Sequence, residues 1–322
     1  MKKIRRAMVG TGIALAVLIA LEVFLCVWFF GAKYPFFDKY FRETAPIAGL
    51  RDGFSPQGLC VTDQGEYVVS GYMANGSASR VYFIDPTDGK SRYITVSEGG
   101  KTLKTHFGGV ACTQDYLYLA SGDRIVRISL PQARSAAAGA NVSATDSFST
   151  GMDNAFCSIY GGMLFAGEFY RKGNYETAMD HRITENGETN YAFVYAYELD
   201  ESKEGGVTGS PRFTVSVRGL VQGFAVTEEH IYLSCSYGLP DSKLYIYDNP
   251  ITPATSGVVR LDSSSLRMTR TLPCMSEGIA VADGELHVLF ESACTKYNLF
   301  VRRDIRSLGT LSLDVLLSEE IA

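Results

Sequence analysis

Short apolar runs separated by turn residues recur along the chain, and each set opens in the same way. A polar or small residue comes first, then a small residue, usually glycine, then an apolar one and another small one. The pattern reads Gln57-Gly58-Leu59-Cys60-Val61-Thr62, Gly108-Gly109-Val110-Ala111-Cys112-Thr113, Asn154-Ala155-Phe156-Cys157-Ser158-Ile159, Gln222-Gly223-Phe224-Ala225-Val226-Thr227 and Glu277-Gly278-Ile279-Ala280-Val281-Ala282. After each copy come turn residues such as Asp63-Gln64-Gly65, Gly161-Gly162 or Asp283-Gly284, and then a second run. The second runs are Glu66 to Ser70, Tyr116 to Ala120, Met163 to Gly167, Ile231 to Ser234 and Leu286 to Phe290. Runs of this length, rich in β-branched and aromatic residues and bounded by residues that tolerate tight reversal, read as strands joined in hairpins.

Third strands are expected at Arg80 to Asp85, Arg124 to Leu130, Ala192 to Leu199 and Lys243 to Asp248. Fourth strands are expected at Ser91 to Val96, Asp146 to Thr150, Arg212 to Val217 and Leu266 to Leu272. The fifth repeat is incomplete: its third strand would lie near Lys296 to Val301, with the fourth supplied either by the tail Leu308 to Leu317 or by Thr44 to Leu50, which would close a ring. The copies lie about 45 to 70 residues apart, the spacing of a repeat array. Four strands per repeat, arranged radially, leave only short sheet edges. The expected fold is therefore all-β, a five-bladed β-propeller, with six blades as the alternative; the absence of a sixth copy favours five.

The N-terminus breaks the pattern. Met1-Lys2-Lys3-Ile4-Arg5-Arg6 precedes an almost unbroken apolar stretch from Ala7 to Phe30, long enough to cross a hydrocarbon core of about 30 Å. The basic residues ahead of it place the N-terminus in the cytoplasm. The expected organisation is a basic cytoplasmic stub (1–6), a transmembrane anchor (7–30), a linker (31–43) and an extracytoplasmic propeller domain (44–322), making a single-pass protein of the cell membrane. A cleaved signal peptide is the competing reading, but the stretch is long for one, and Phe30-Gly31-Ala32 has a bulky residue where cleavage wants a small one. Glu22 inside the span costs a few kcal/mol unless protonated, hydrated or paired.

Composition adds two points. The net charge of −5 becomes more negative once the N-terminal cations are set aside, which speaks against nucleic acid as a partner. Of seven cysteines, Cys26 lies in the span, while Cys274 and Cys294 flank a hairpin turning at Asp283-Gly284 and are candidates for a disulfide in an oxidising compartment. Cys60 and Cys157 occupy a motif position held elsewhere by alanine, and read as packing residues.

If the leading residues surround one axis, Gln57, Asn154, Gln222 and Glu277 form a polar ring with His106 and Asp153 nearby. The ends of the second strands add Tyr72, Asp123, Glu168, Tyr237 and Glu291. Amides that both donate and accept, beside aromatic edges, suit a ligand with several hydroxyls or amides. Glu277 and Glu291 stand at the ends of one hairpin and are candidate general acid and base, with His106 the best alternative base. The polar insert Arg171 to Asn190 would lie on the same face, either as a lid over the opening or as a mobile surface loop.

The motifs, together with Ser70-Gly71-Tyr72, His106-Phe107-Gly108-Gly109, Ser234-Cys235-Ser236-Tyr237-Gly238 and Phe290-Glu291-Ser292, resemble those of a family of exported or membrane-tethered bacterial β-propellers. They are more remotely similar to NHL and gluconolactonase-type propellers. The latter resemblance implies a divalent metal on the axis held by Glu, Asn and Asp; here Glu277 and Asn154 match, while Gln57, Gln222 and Gly108 depart. No cofactor is therefore expected, and calcium is the cation such an axis would take if any. The expected function is non-catalytic binding, at the axial face, of a small polar ligand (a glycan or peptide fragment) or a partner protein. A hydrolase or lyase, lactonase-like, using the carboxylates or His106 is the alternative, so whether the chain is an enzyme stays open at this level.

Overall fold

The computed structural model describes residues 13–25, 27 and 33–318. Residues 13–25 are helical, with their apolar side chains exposed. Among the described residues no helix is long and apolar enough to cross a membrane; the predicted span 7–30 lies partly, and the stub 1–6 wholly, outside the described residues. The predicted linker 31–43 needs correction over its described part. Tyr34, Phe36 and Phe37 are buried, a short helix covers Pro35–Tyr40, and the Tyr34 hydroxyl donates to Asp241 Oδ1 at 2.8 Å. Three aromatic side chains in four residues give this segment a face that has to be covered, so it packs onto the domain and does not hang free.

Beyond it nearly all regular structure is strand, as the all-β reading expects. Strand β1 (Arg42–Pro46) stands first in the chain and pairs last. A first sheet follows: β2 (Phe54–Val61), β3 (Tyr67–Met73), β4 (Arg80–Ile84), β5 (Ser91–Glu98) and β6 (Lys101–Thr102), in that order. A seven-stranded sheet comes next, because two long strands change partners along their length. In it β7 (Gly109–Cys112) pairs with the start of β8 (Tyr116–Ser129), and the second half of β8 pairs with the start of β10 (Asp146–Tyr160), while β9 (Asn141–Ser143) reaches back to pair with β5. The second half of β10 pairs with β11 (Met163–Glu168). Beyond the small hairpin of β12 (Ile183–Glu185) and β13 (Glu188–Asn190), β14 (Ala192–Glu198) and β15 (Phe213–Val217) complete this half. A four-stranded sheet holds β16 (Val221–Val226), β17 (His230–Cys235), β18 (Ser242–Asp248) and β20 (Leu266–Leu272), and β19 (Gly257–Arg260) leaves it to pair with β15. The last sheet is β21 (Ser276–Ala282), β22 (Glu285–Phe290), β23 (Ser307–Ser312) and, on its outer edge, β1.

The fifth repeat is thus completed from both chain ends. Residues 291–306, where a strand was expected at Lys296 to Val301, are turns and loop; Ser307–Ser312 takes the third place, and β1 takes the fourth. Adding the N-terminal strand to the last sheet ties the two ends of the domain together.

Each group of strands is buried on both faces, against its predecessor and its successor. Phe83, Ile94 and Val96 meet Val110, Leu119 and Ile128; Ala111, Tyr118 and Ile125 meet Cys157, Leu164 and Tyr197. Phe156, Phe165 and Phe213 meet Phe224, Ile231 and Leu233, and Tyr232, Leu244 and Ile246 meet Ile279, Val288 and Phe290. Val69 and Ile84 of the first sheet then meet Leu289 and Leu308 of the last. The leading strands make the same circuit: β2 packs on β7, β7 on β10, β10 on β16, β16 on β21, and β21 on β2.

That circuit is drawn tight by glycine. A Cβ on Gly58 would lie 2.5 Å from Val110 N, one on Gly109 2.3 Å from Cys157 N, one on Gly223 2.7 Å from Glu277 O, and one on Gly278 2.6 Å from Leu59 N. Backbone atoms of neighbouring leading strands occupy the space a side chain would need. We predict that Gly109→Ala lowers stability by about 1–3 kcal/mol, read as a drop in urea midpoint at unchanged slope; an unchanged midpoint would mean that the strands do not need this approach.

Candidate functional site

The strand ladders carry a fault where the leading residues sit. Pairing of β2 with β3 slips between Pro56 and Gly58, pairing of β16 with β17 between Val221 and Gly223, and pairing of β21 with β22 between Ser276 and Ile279. Each slip leaves the leading residue, Gln57, Gln222 or Glu277, outside the ladder. A bulge of this kind re-aims a side chain, and these three line one cavity of about 460 Å³. Phe107, Leu220 and Met275, just ahead of three leading strands, have positive φ of 43°, 68° and 62° although none is glycine. Such conformations cost energy and persist where surrounding packing imposes them.

Of the residues expected from sequence, Gln57, Tyr72, His106, Asp153, Asn154, Gln222, Tyr237, Glu277 and Glu291 border this cavity. Three of the expected residues do not serve as expected. In the third repeat the slip falls one residue later, between Asn154 and Phe156, so Asn154 stays in register opposite Glu168. Its Nδ2 is spent on Gly122 O and Thr150 Oγ1, both at 2.8 Å, and on Met152 O at 3.1 Å, tying down the turn that bends β10. Glu168 is not brought to the cavity: it accepts from the Phe193 N–H at 3.0 Å and lies 2.7 Å from His181 Nδ1, which docks the insert. Burial raises its pKa above the usual carboxylate value, against the pull of His181 and the Phe193 N–H. Asp123 is likewise absent from the lining, where Gly122 takes its place.

Sequence reasoning missed Thr105, Phe169, Tyr175, Met275, Lys296 and Tyr297, all of which line the cavity. Phe169 follows Glu168, so alternation along the strand end turns one inward and the other away. Lys296 and Tyr297 were hidden by the expected third strand of the fifth repeat. The insert reaches the opening through Tyr175, held by an antiparallel bridge between Arg171 and Tyr175 and packed edge-on to Phe169 with ring centroids 5.4 Å apart.

The floor holds a pair of carboxyls, Glu277 and Glu291. Gln57 Nε2 donates to Glu291 Oε2 at 2.9 Å, and Gln222 Nε2 to Glu277 Oε1 at 3.2 Å. Burial first, then the Glu291 charge, holds the Glu277 pKa well above the usual carboxyl range. Burial raises Glu291 to about 7, with the Lys296 ammonium, the Glu277 proton and the Gln57 amide all working to lower it. Lys296 Nζ in turn donates to the Tyr72 hydroxyl at 2.9 Å, and Tyr72 stacks on His106 with ring centroids 4.4 Å apart. The atoms crowded around His106, and then Lys296, hold its pKa below the ordinary imidazole value. On the other side Arg171 lies 4.0 Å over the Tyr237 ring. Among the described residues no three His, Cys, Asp or Glu side chains converge so as to hold a metal ion.

The opposite ends of the leading strands surround a second cavity of about 480 Å³, lined by Leu59, Val61, Val110, Ile159, Val226 and Ile279 with small residues between them. Cys60 borders it, and burial holds its thiol pKa well above normal; burial likewise pushes Cys157 up to about 12, so both are protonated packing residues. The Cys274–Cys294 bridge expected from sequence is not formed. The ladder ends at Ser276 opposite Phe290, and the turn that follows carries Cys294 to Ser55, whose Oγ donates to its Sγ at 3.7 Å, whereas Cys274 packs with Met275 and Val301.

No protein-family model matches the chain, and no curated protein matches it. Among solved structures, it is similar to the tail fiber of Staphylococcus aureus phage P68, with 8% identity and a TM-score of 0.44 over 91% of this chain and 56% of that one. It is also similar to the extracellular domain of BT4673 from B. thetaiotaomicron, with 10% identity and a TM-score of 0.35 over 80% of this chain and 33% of that one. The chain spans about a third to just over half the length of these two, and at such scores neither likeness carries an inference. The carboxyl pair, by contrast, makes a measurable claim. Because Glu291 titrates near 7 when folded and near 4.3 when unfolded, the folded state binds more protons between those values, and stability falls as pH rises through that window. The double substitution Glu277→Gln/Glu291→Gln should remove that slope in urea melts at pH 5 and pH 7.5; an equal slope in both proteins would show that the pair is not buried as described.

Proposed function

We propose that the five strand groups are the blades of a five-bladed β-propeller on the outer side of a membrane, tethered by the N-terminal segment. In this reading the propeller binds a small polar ligand, a glycan or peptide fragment, in the cavity at the start of its leading strands, without catalysis. A partner protein presenting such a group would meet the same surface. The closed circuit of sheet-to-sheet cores supports the architecture, and the motif resemblance to exported bacterial propellers agrees with it. The observation that carries the binding reading is the convergence of the bulged side chains Gln57, Gln222 and Glu277 beneath aromatic walls from Tyr72, Tyr237 and Tyr297. Amides and a protonated carboxyl offer donors and acceptors together, and ring faces take the apolar faces of a sugar or peptide.

A hydrolase or lyase using Glu277, Glu291 or His106 is the second reading, because one carboxyl is protonated while its neighbour titrates near neutrality. Its weakness is access: Glu277 is buried, and each carboxyl already accepts a hydrogen bond from a glutamine amide, Glu291 from Gln57 and Glu277 from Gln222.

Full-length protein in detergent, melted against a panel of oligosaccharides and short peptides, distinguishes the readings. A true ligand raises the melting temperature, adding about 2.7 kcal/mol at a hundredfold excess over Kd. Gln57→Ala or Tyr237→Ala should weaken binding about tenfold, equivalent to about 1.4 kcal/mol. No shift with any member overturns the binding reading, and cleaved product that disappears with Glu291→Gln replaces it with the hydrolytic one.

A further inference from the structure

The turns between β22 and β23 end in an exposed apolar tip. Leu299 is 78% and Phe300 62% exposed, an expensive arrangement in water for two large side chains side by side. The base of the same loop is fastened to the place where the chain joins the domain. Arg303 pairs with Asp38 and lies over the Phe37 ring; Arg302 lies 3.8 Å from Asp241, which accepts the Tyr34 hydroxyl. Lys296 and Tyr297, four residues or fewer before the tip, line the cavity mouth. The tip, the cavity mouth and the start of the folded domain at Tyr34 therefore share one neighbourhood.

The tether leaves little freedom. Tyr34 is 2% exposed and locked in place, and the helical residues reach as far as position 27. The seven steps from position 27 to Tyr34 span at most about 25 Å when fully extended. If the N-terminal helix lies in a bilayer, the face carrying Tyr34 must lie close to that bilayer.

We infer that Leu299 and Phe300 dip into the interfacial layer of the membrane that holds the N-terminal segment, turning the mouth of the Gln57–Glu277 cavity toward the lipid. This rests on the tethered reading proposed above. Leucine and phenylalanine gain by leaving water, while Tyr297 and Lys296 behind them are the residue types that settle at headgroup level. A ligand would then enter the cavity from the membrane side.

The test uses full-length protein in phosphatidylcholine vesicles, with and without brominated lipid as a contact quencher of indole fluorescence. The chain has one tryptophan, Trp28, and its quenching in the unaltered protein reports whether the tether is in the bilayer. The indole is then moved to the tip with Phe300→Trp in a Trp28→Phe background, and to a control site with Val258→Trp in the same background; Val258 is exposed on β19. The inference expects severalfold stronger quenching at position 300 than at 258. An indole at 300 that emits as if in water, or is shielded without being quenched by lipid because protein covers it, overturns the inference while Trp28 quenching leaves the tether standing. Absence of Trp28 quenching overturns the tether and this inference together.

Discussion

Everything in this molecule hangs on how closely the leading strands approach one another. Gly58, Gly109, Gly223 and Gly278 put backbone against backbone at distances no Cβ allows, and the small residues two positions on, Cys60, Ala111, Ala225 and Ala280, with Cys157 two after Ala155 in the fifth leading strand, leave room for that approach. Once five strands are held at that separation, the sheets behind them must diverge. The wedges between sheets fill with the large side chains that the second and third strands supply, among them Phe83, Phe165, Tyr118 and Phe290, all essentially without exposure. Close packing between the leading strands and bulk between the sheets are two sides of one geometric requirement.

The same crowding creates the site. A strand that must bring its glycine against a neighbour's backbone cannot keep the residue before it in a regular ladder, and in β2, β16 and β21 that residue is pushed out as a bulge. Three polar side chains are thereby aimed into one space. Taking Glu277 and Glu291 out of water together would be prohibitive if both were charged. An amide on each carboxyl and the Lys296 ammonium nearby lower that cost.

Edges are managed by exchange between neighbours. β9 pairs with β5 and β19 with β15, each leaving the connection of one sheet to cover the outer strand of the sheet before it, while β1 covers the outer strand of the last. Unpaired outer strands invite association with other chains, and these additions shorten what is left open. The short helix Pro35–Tyr40 that precedes β1 fills the space between the last two strand groups, so the segment ahead of β1 joins the domain through its core.

The chain by itself determined the strand plan. Five copies of one motif, each followed by a hairpin, placed all five leading strands and nearly all second, third and fourth strands, because alternation and turn chemistry act over a few residues and leave a local trace. It also named nine of the residues that border the cavity, four at leading positions and five beside them or at second-strand ends, since those places are readable without coordinates. What only tertiary structure decided depends on register and on contacts distant in sequence. A one-residue displacement of the bulge turned Asn154 back into its own turn while Gln57 and Gln222 point inward. The parity of a strand end sent Phe169 to the cavity and Glu168 to His181. The completion of the last sheet by β1 freed residues 291–306 to become the loop that carries Lys296 and Tyr297. A ladder slip of one residue reverses which face a side chain occupies, and nothing in the local sequence records where that slip occurs.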